Sequence, residues 1–199
     1  MKKTNGNKIL ASISPDQFVG RSKELESLLK FARSAAGPPV SLAKAPGSGA
    51  TELLLQTFDE LFREHGDVIP VYLAFRTDDR DLFGTAERFQ REIFAQIIAF
   101  KRNEPAILNS AYDLSELVEM APSADSEWGA RSANPASTLL EIMVIPLRLS
   151  RLDVRVLIMI DDIENIDPLP GGERLSLLRC RAPGGTRASL VVAYLQDRE

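Results

Sequence analysis

The 199-residue chain is 44% hydrophobic, with net charge −4 and a pI near 5.2, which suits one packed domain and leaves no global basic field to recruit nucleic acid or anionic lipid. One cysteine, Cys180, and one histidine, His65, exclude an intrachain disulfide and leave a His/Cys zinc cluster or a Ser-His-Asp arrangement without its parts. The longest apolar runs, VLIMI and SLVVAYL, fall far short of the ~20 residues of a membrane span, and ILASIS is too short and polar for a signal-peptide core, so no membrane contact and a cytoplasmic location are expected.

In chain order, the polar start through Pro15 reads as a flexible lead-in, with the boundary set at 1–17 and one domain over 18–199. A helix is predicted over roughly 23–36, capped by Ser22, with Leu25, Leu28, Leu29 and Ala32 on one face and Gly37 to Pro39 stopping it. VSLAKA follows as a short strand. After a glycine turn, a helix runs from about Thr51 to Glu64, with Leu54, Leu55, Phe58, Leu61 and Phe62 marking its buried face and Gly66 its end. Val68 to Phe75 is β-branched and aromatic, hence a buried strand.

GTAERFQREIFAQIIAFKRN carries Phe89, Ile93, Phe94, Ile97 and Ile98 at helical spacing, and a further helix covers LSELVEMA. Pro122 to Pro135 reads as a loop carrying Trp128, and STLLEIMVIPLRLSRL resumes helical spacing with a kink or break at Pro146. VRVLIMIDD is an apolar strand ending in two aspartates. DPLPGGERL is turn-rich, LSLLRCRA is ambiguous between helix and strand, and ASLVVAYL is another buried strand. Apolar strands alternating with helices predict a parallel sheet covered on both faces.

Two stretches carry candidate chemistry. Lys44-Ala45-Pro46-Gly47-Ser48-Gly49-Ala50-Thr51 aligns with the phosphate-loop pattern G-x-x-x-x-G-K-[ST] between a strand and a helix. Gly49 and Thr51 fit; Lys44 replaces the first glycine and Ala50 the lysine. Backbone amides at a helix N-terminus can hold phosphate oxygens without a side chain, so the loss weakens binding less than hydrolysis. Lys44 itself reads as a solvated lysine at the strand's end. Val156 to Ile160 followed by Asp161-Asp162 is an apolar strand delivering carboxylates beside such a loop. Asp161 would serve Mg²⁺ through water together with Thr51, Asp162 would activate a water, and Glu164 is the substitute for that role. The plainer alternative is that the aspartates end a buried strand and cap the next turn.

Together with FVGRSKELESLL, Phe18 to Leu29, the stretches LAKAPGSGATELL and VLIMIDDIENI make the chain resemble the AAA+/STAND group of P-loop ATPases, near the origin-recognition-like ATPase domains of bacteria. The resemblance implies a three-layer α/β/α sandwich with a mainly parallel sheet, the P-loop NTPase fold, binding ATP or ADP with Mg²⁺. Val19, Gly20 and Arg21 would lie on the base side, against the alternative of a plain helix entry. Pro46, Gly47, Ser48, Gly49, Ala50 and Thr51 would surround the phosphates. Gln196 would be a sensor residue, against the alternative of a solvent-facing strand end.

No segment after Glu199 remains for a further strand, an arginine finger or the helical lid, so the chain resembles an N-terminal portion or a reduced domain. The edge at VVAYL is then expected to be covered by a protein partner or by a C-terminal region, and a homo-oligomer is one such arrangement. Nucleic-acid binding by the chain alone is not expected, because arginines cluster only at RCRAPGGTR and no winged-helix segment is present. Three functions stay open: a nucleotide-binding switch or scaffold with weak or absent hydrolysis, a pseudo-ATPase interaction platform, and an ATPase drawing positive charge from Lys44, Arg21 or a neighbouring subunit.

Overall fold

The computed structural model describes residues 8–34, 40–45, 47–79, 81–120, 155–166 and 188–195. The expected stop at Gly37 to Pro39, Pro46, the loop around Trp128, the helix over 137–152, the turns and ambiguous segment between 167 and 187, and Gln196 lie outside them.

The chain is α/β. Among the described residues, four α-helices, α1 (Ser22–Arg33), α2 (Ala50–Glu64), α3 (Leu82–Arg102) and α4 (Leu114–Met120), accompany four strands, β1 (Val40–Lys44), β2 (Val68–Ala74), β3 (Arg155–Asp161) and β4 (Ala188–Leu195). All three strand pairings are parallel, in the order β1-β4-β3-β2. β4 therefore lies inside the sheet, paired with both β1 and β3, and is not the open edge expected from the sequence. Strand order is set by where the crossovers land, which apolarity alone does not encode. Among the described residues the sheet's edges are β1 and β2.

Burial follows that order. Val156 to Asp161 are all buried, so both faces of β3 are covered, as a central parallel strand requires. β1 alternates, with Ser41 and Ala43 exposed. The β2 edge is closed by a side chain: Gln96 of α3 accepts from the Tyr72 backbone N–H at 2.7 Å and donates to the Tyr72 carbonyl at 2.8 Å. Pro70, two residues back, turns its nitrogen to that same outer side, so it removes no ladder bond.

The helices start and stop near the expected places, with different caps. α1 is capped by Arg21, and Ser22 is its first helical residue. α2 ends on His65 in the left-handed region (φ 47°), one residue before the expected Gly66; the imidazole Nε2 lies 2.6 Å from the Phe100 carbonyl oxygen and the ring packs on Phe100. α3 begins at Leu82, with the Asp81 carboxylate accepting from Gly84 N–H at 2.7 Å. Phe58, Phe62, Phe75, Phe89 and Phe94 are among the largest fully buried side chains, and each such ring stabilises the fold by roughly 1.5–3 kcal/mol relative to exposure.

Within the lead-in expected to be flexible, Ile9 to Ile13 are strapped to α2. The buried Asp59 carboxylate accepts from Ile9 and Leu10 N–H, both at 2.8 Å, and more weakly from Ala11. Glu52 accepts from Ser12 and Ile13, and the Gln56 amide donates to the Ile13 carbonyl. The strap explains why α2 buries Gln56 and Asp59 as well as its apolar stripe, while the buried Thr57 hydroxyl donates to the Leu53 carbonyl of its own helix. Among the described residues no helix is long and apolar enough to cross a membrane.

Candidate functional site

The turn after β1 enters α2 through Gly47 (φ 73°) and Gly49 (φ 75°), both left-handed. A Cβ at either position would meet nothing within 4 Å, so glycine is required there by backbone conformation and not by space. The turn closes with Ser48 N–H donating to the Ala45 carbonyl at 3.0 Å. Gly49 is the N-cap of α2 and no side chain caps it, which leaves the Gly49, Ala50 and Thr51 amides without an acceptor among the described residues. Glu52, the first-turn carboxylate, is held by the strap.

Arg21 ties the opening motif to this turn: its Nη1 donates to the Ser48 carbonyl at 3.1 Å and its Nε to Glu24 at 3.3 Å. Gly20 beside it is left-handed (φ 90°), and Val19 is 83% exposed, a large apolar side chain open to solvent. Gly47, Ser48 and Gly49 are exposed, and Ala50 is buried at 2% exposure. The half-buried Thr51 has no side-chain hydrogen bond among the described residues.

Lys44 corrects the sequence reading. It is not solvated but buried, and its ammonium reaches past β4 to the end of β3. Two strand spacings, about 10 Å, separate β1 from β3, a span that a lysine stem and an aspartate bridge together. The ammonium donates to Asp161 Oδ1 at 2.7 Å and to Asp162 Oδ1, and lies 3.6 Å from Glu164 Oε1. Burial works against its charge, yet the bonds to Asp161 and Asp162 prevail and raise its pKa above the ordinary lysine value.

The carboxylates are engaged in turn. Asp161 Oδ1 also accepts from the Asp162 backbone N–H at 2.9 Å, and Oδ2 from the Tyr72 hydroxyl at 3.1 Å. Burial, with Asp161 beside it, pushes the Tyr72 phenol up, so it stays a donor. Asp162 is left-handed (φ 53°), a conformation aspartate adopts more readily than most non-glycine residues, and its carboxylate meets the Lys44 ammonium.

This donor set does not fit Mg²⁺ as arranged. Asp161 holds an ammonium where the sequence reading gave it a metal, and among the described residues no group of three or more Asp, Glu, His or Cys side chains is disposed to hold an ion. Asp162 and Glu164, the expected water-activating acids, face the same ammonium.

Asp161, Asp162 and Glu164 are thus brought together with Lys44, which is the last strand residue before the turn, and Arg21 with Ser48. Sequence reasoning missed Lys44 as the partner of the acids and Tyr72 as a donor to Asp161. The available signal was a charged residue closing an apolar strand opposite another strand that closes on two acids. No family model matches the chain, and no curated protein or solved structure matches it either.

Proposed function

We propose that the chain is a nucleotide-binding module of the AAA+/STAND type, a switch or scaffold with weak or absent hydrolysis, built on a P-loop-like three-layer α/β/α sandwich. The observation that carries this reading is the Lys44–Asp161–Asp162 cluster beside an uncapped glycine turn. Amides of Gly49, Ala50 and Thr51 at the N-terminus of a 15-residue helix are donors for phosphate oxygens, and the helix dipole favours an anion there. Arg21, fixed on the turn, and the exposed Val19 offer a cation and an apolar surface on the base side.

Lys44 takes the part that Mg²⁺ was expected to play toward Asp161, so nucleotide binding in this reading does not require the metal. Weak hydrolysis has the same cause. An acid that activates water must be able to accept its proton, and Asp162 and Glu164 already face an ammonium whose proton is held tightly. Lys44, committed to these acids, is not a spare charge for an active ATPase. A protein partner, a C-terminal segment or a second copy is proposed to cover β1, and the ATP or ADP site is proposed to lie in the cytoplasm.

The Lys44 cluster also favours a second reading, a platform that binds no nucleotide, since the ammonium gathers Asp161, Asp162 and Glu164 without a ligand. Titration with labelled ATP separates the two: saturable binding without phosphate release supports the module, and no saturation at millimolar ATP leaves only the platform. Ala50→Lys should tighten ATP about tenfold by restoring an ammonium near the phosphates, while costing about 1–3 kcal/mol of stability because Ala50 is 2% exposed. Unchanged affinity would mean that the turn does not meet phosphate.

A further inference from the structure

A cavity of about 520 Å³ opens at the outer edge of β2, between α3 and the 3₁₀ turn at Pro105–Asn109. That is the size of small-molecule sites. Its apolar wall includes Leu10, Ala74, Ala95, Ile107, Leu108 and Leu117, and Tyr72 and Tyr112 border it. Arg76, Arg88, Arg91 and Glu92 supply the polar part of the lining.

The three guanidiniums are not equivalent. Arg88 is fixed: it donates to Asp79 at 2.6 Å, to Glu92 at 3.1 Å and to the Ala74 carbonyl at 3.1 Å, and it lies over the Phe89 ring. Arg76 is half-exposed and bonds to Glu92 through one nitrogen at 3.0 Å, leaving the rest of its fork open. Arg91 is exposed and makes no hydrogen bond or ion pair among the described residues; Glu87, one turn earlier on α3, does not pair with it. Asp79 and Glu92 hold Arg88, and Glu92 also holds Arg76. Arg91 borders both this cavity and a neighbouring cleft lined by Glu87 and Asp113, and its guanidinium fork is bonded to neither acid.

We propose that this cavity binds a small amphipathic monocarboxylate, an aryl or branched acyl acid, with its apolar body against Ile107, Leu108 and Leu117 and its carboxylate held by Arg91 with help from Arg76. Guanidinium forks match carboxylates in shape, and one unbonded fork among nearby acids suits a monoanion better than a phosphate dianion. This site is independent of the nucleotide reading.

The test titrates the isotope-labelled full chain with 4-phenylbutyrate, with 4-phenylbutan-1-ol as the neutral isostere, and with inorganic phosphate. The expected result is a Kd of about 1 mM for the acid, at least about tenfold tighter than the alcohol or phosphate, with shifts centred on Ile107 and Leu117. Arg91→Gln should bring the acid to the level of the alcohol and leave the urea midpoint unchanged, since the side chain is exposed. Ala95→Phe should fill the cavity and abolish binding of both organic probes. Equal affinity for acid and alcohol, no saturation by about 10 mM acid, shifts centred elsewhere, or a preference that survives Arg91→Gln would each overturn the proposal.

Discussion

At the scale of single residues, Lys44 decides the character of the site. Removing its ammonium leaves Asp161, at 0% exposure, as an uncompensated charge, so Lys44→Met should cost about 3–5 kcal/mol in urea unfolding, and adding Asp161→Asn should recover much of it. An unchanged midpoint for the single variant would contradict the buried pair. The same pair sets a pH dependence. A lysine whose folded pKa is raised above 10.5 contributes stability that is complete below that value and is lost as pH rises through the raised one. Tyr72, raised from 10.0, acts in the same direction, because the folded state holds its proton longer. The urea midpoint should therefore fall above about pH 10, and Lys44→Met combined with Tyr72→Phe should flatten that fall.

At the scale of elements, the strap over Ile9 to Ile13 makes the clearest demand. Asp59→Ala removes the acceptor shared by three backbone amides and should cost about 1.5–3 kcal/mol, with hydrogen exchange at Ile9, Leu10 and Ala11 accelerated while the β3 amides stay protected. Retained protection at those three amides would mean that the strap is held otherwise. Helices and strands were legible because their evidence is local: Phe89, Ile93, Phe94 and Ile97 recur at helical spacing, and Val156 to Ile160 are continuously apolar. The strap was not legible, because Ile9 to Ala11 bind through backbone N–H groups that composition does not display. Caps moved by one residue, to Arg21 and His65, because neighbours such as the Phe100 carbonyl stabilise geometries that propensity disfavours. The Lys44–Asp161 bond joins residues 117 apart, and its cause is a strand order that no local pattern carries.

At the scale of the whole molecule, the parallel order β1-β4-β3-β2 gathers the ends of β1 and β3 on one side of the sheet, where the glycine turn, the lysine and the acids meet. Open α/β sheets place ligands beyond the carboxyl ends of their strands, and the proposed site lies at those ends. The central claim is that nucleotide phosphate binds the amides of the Gly47–Thr51 turn while Lys44, and not Mg²⁺, balances Asp161. Calorimetric titration of ATP in excess Mg²⁺ and again in a chelator tests it most directly. The account expects saturable binding with affinities equal within about threefold in the two buffers, a difference under about 0.7 kcal/mol. Binding that appears only with Mg²⁺, or in neither buffer, would contradict it.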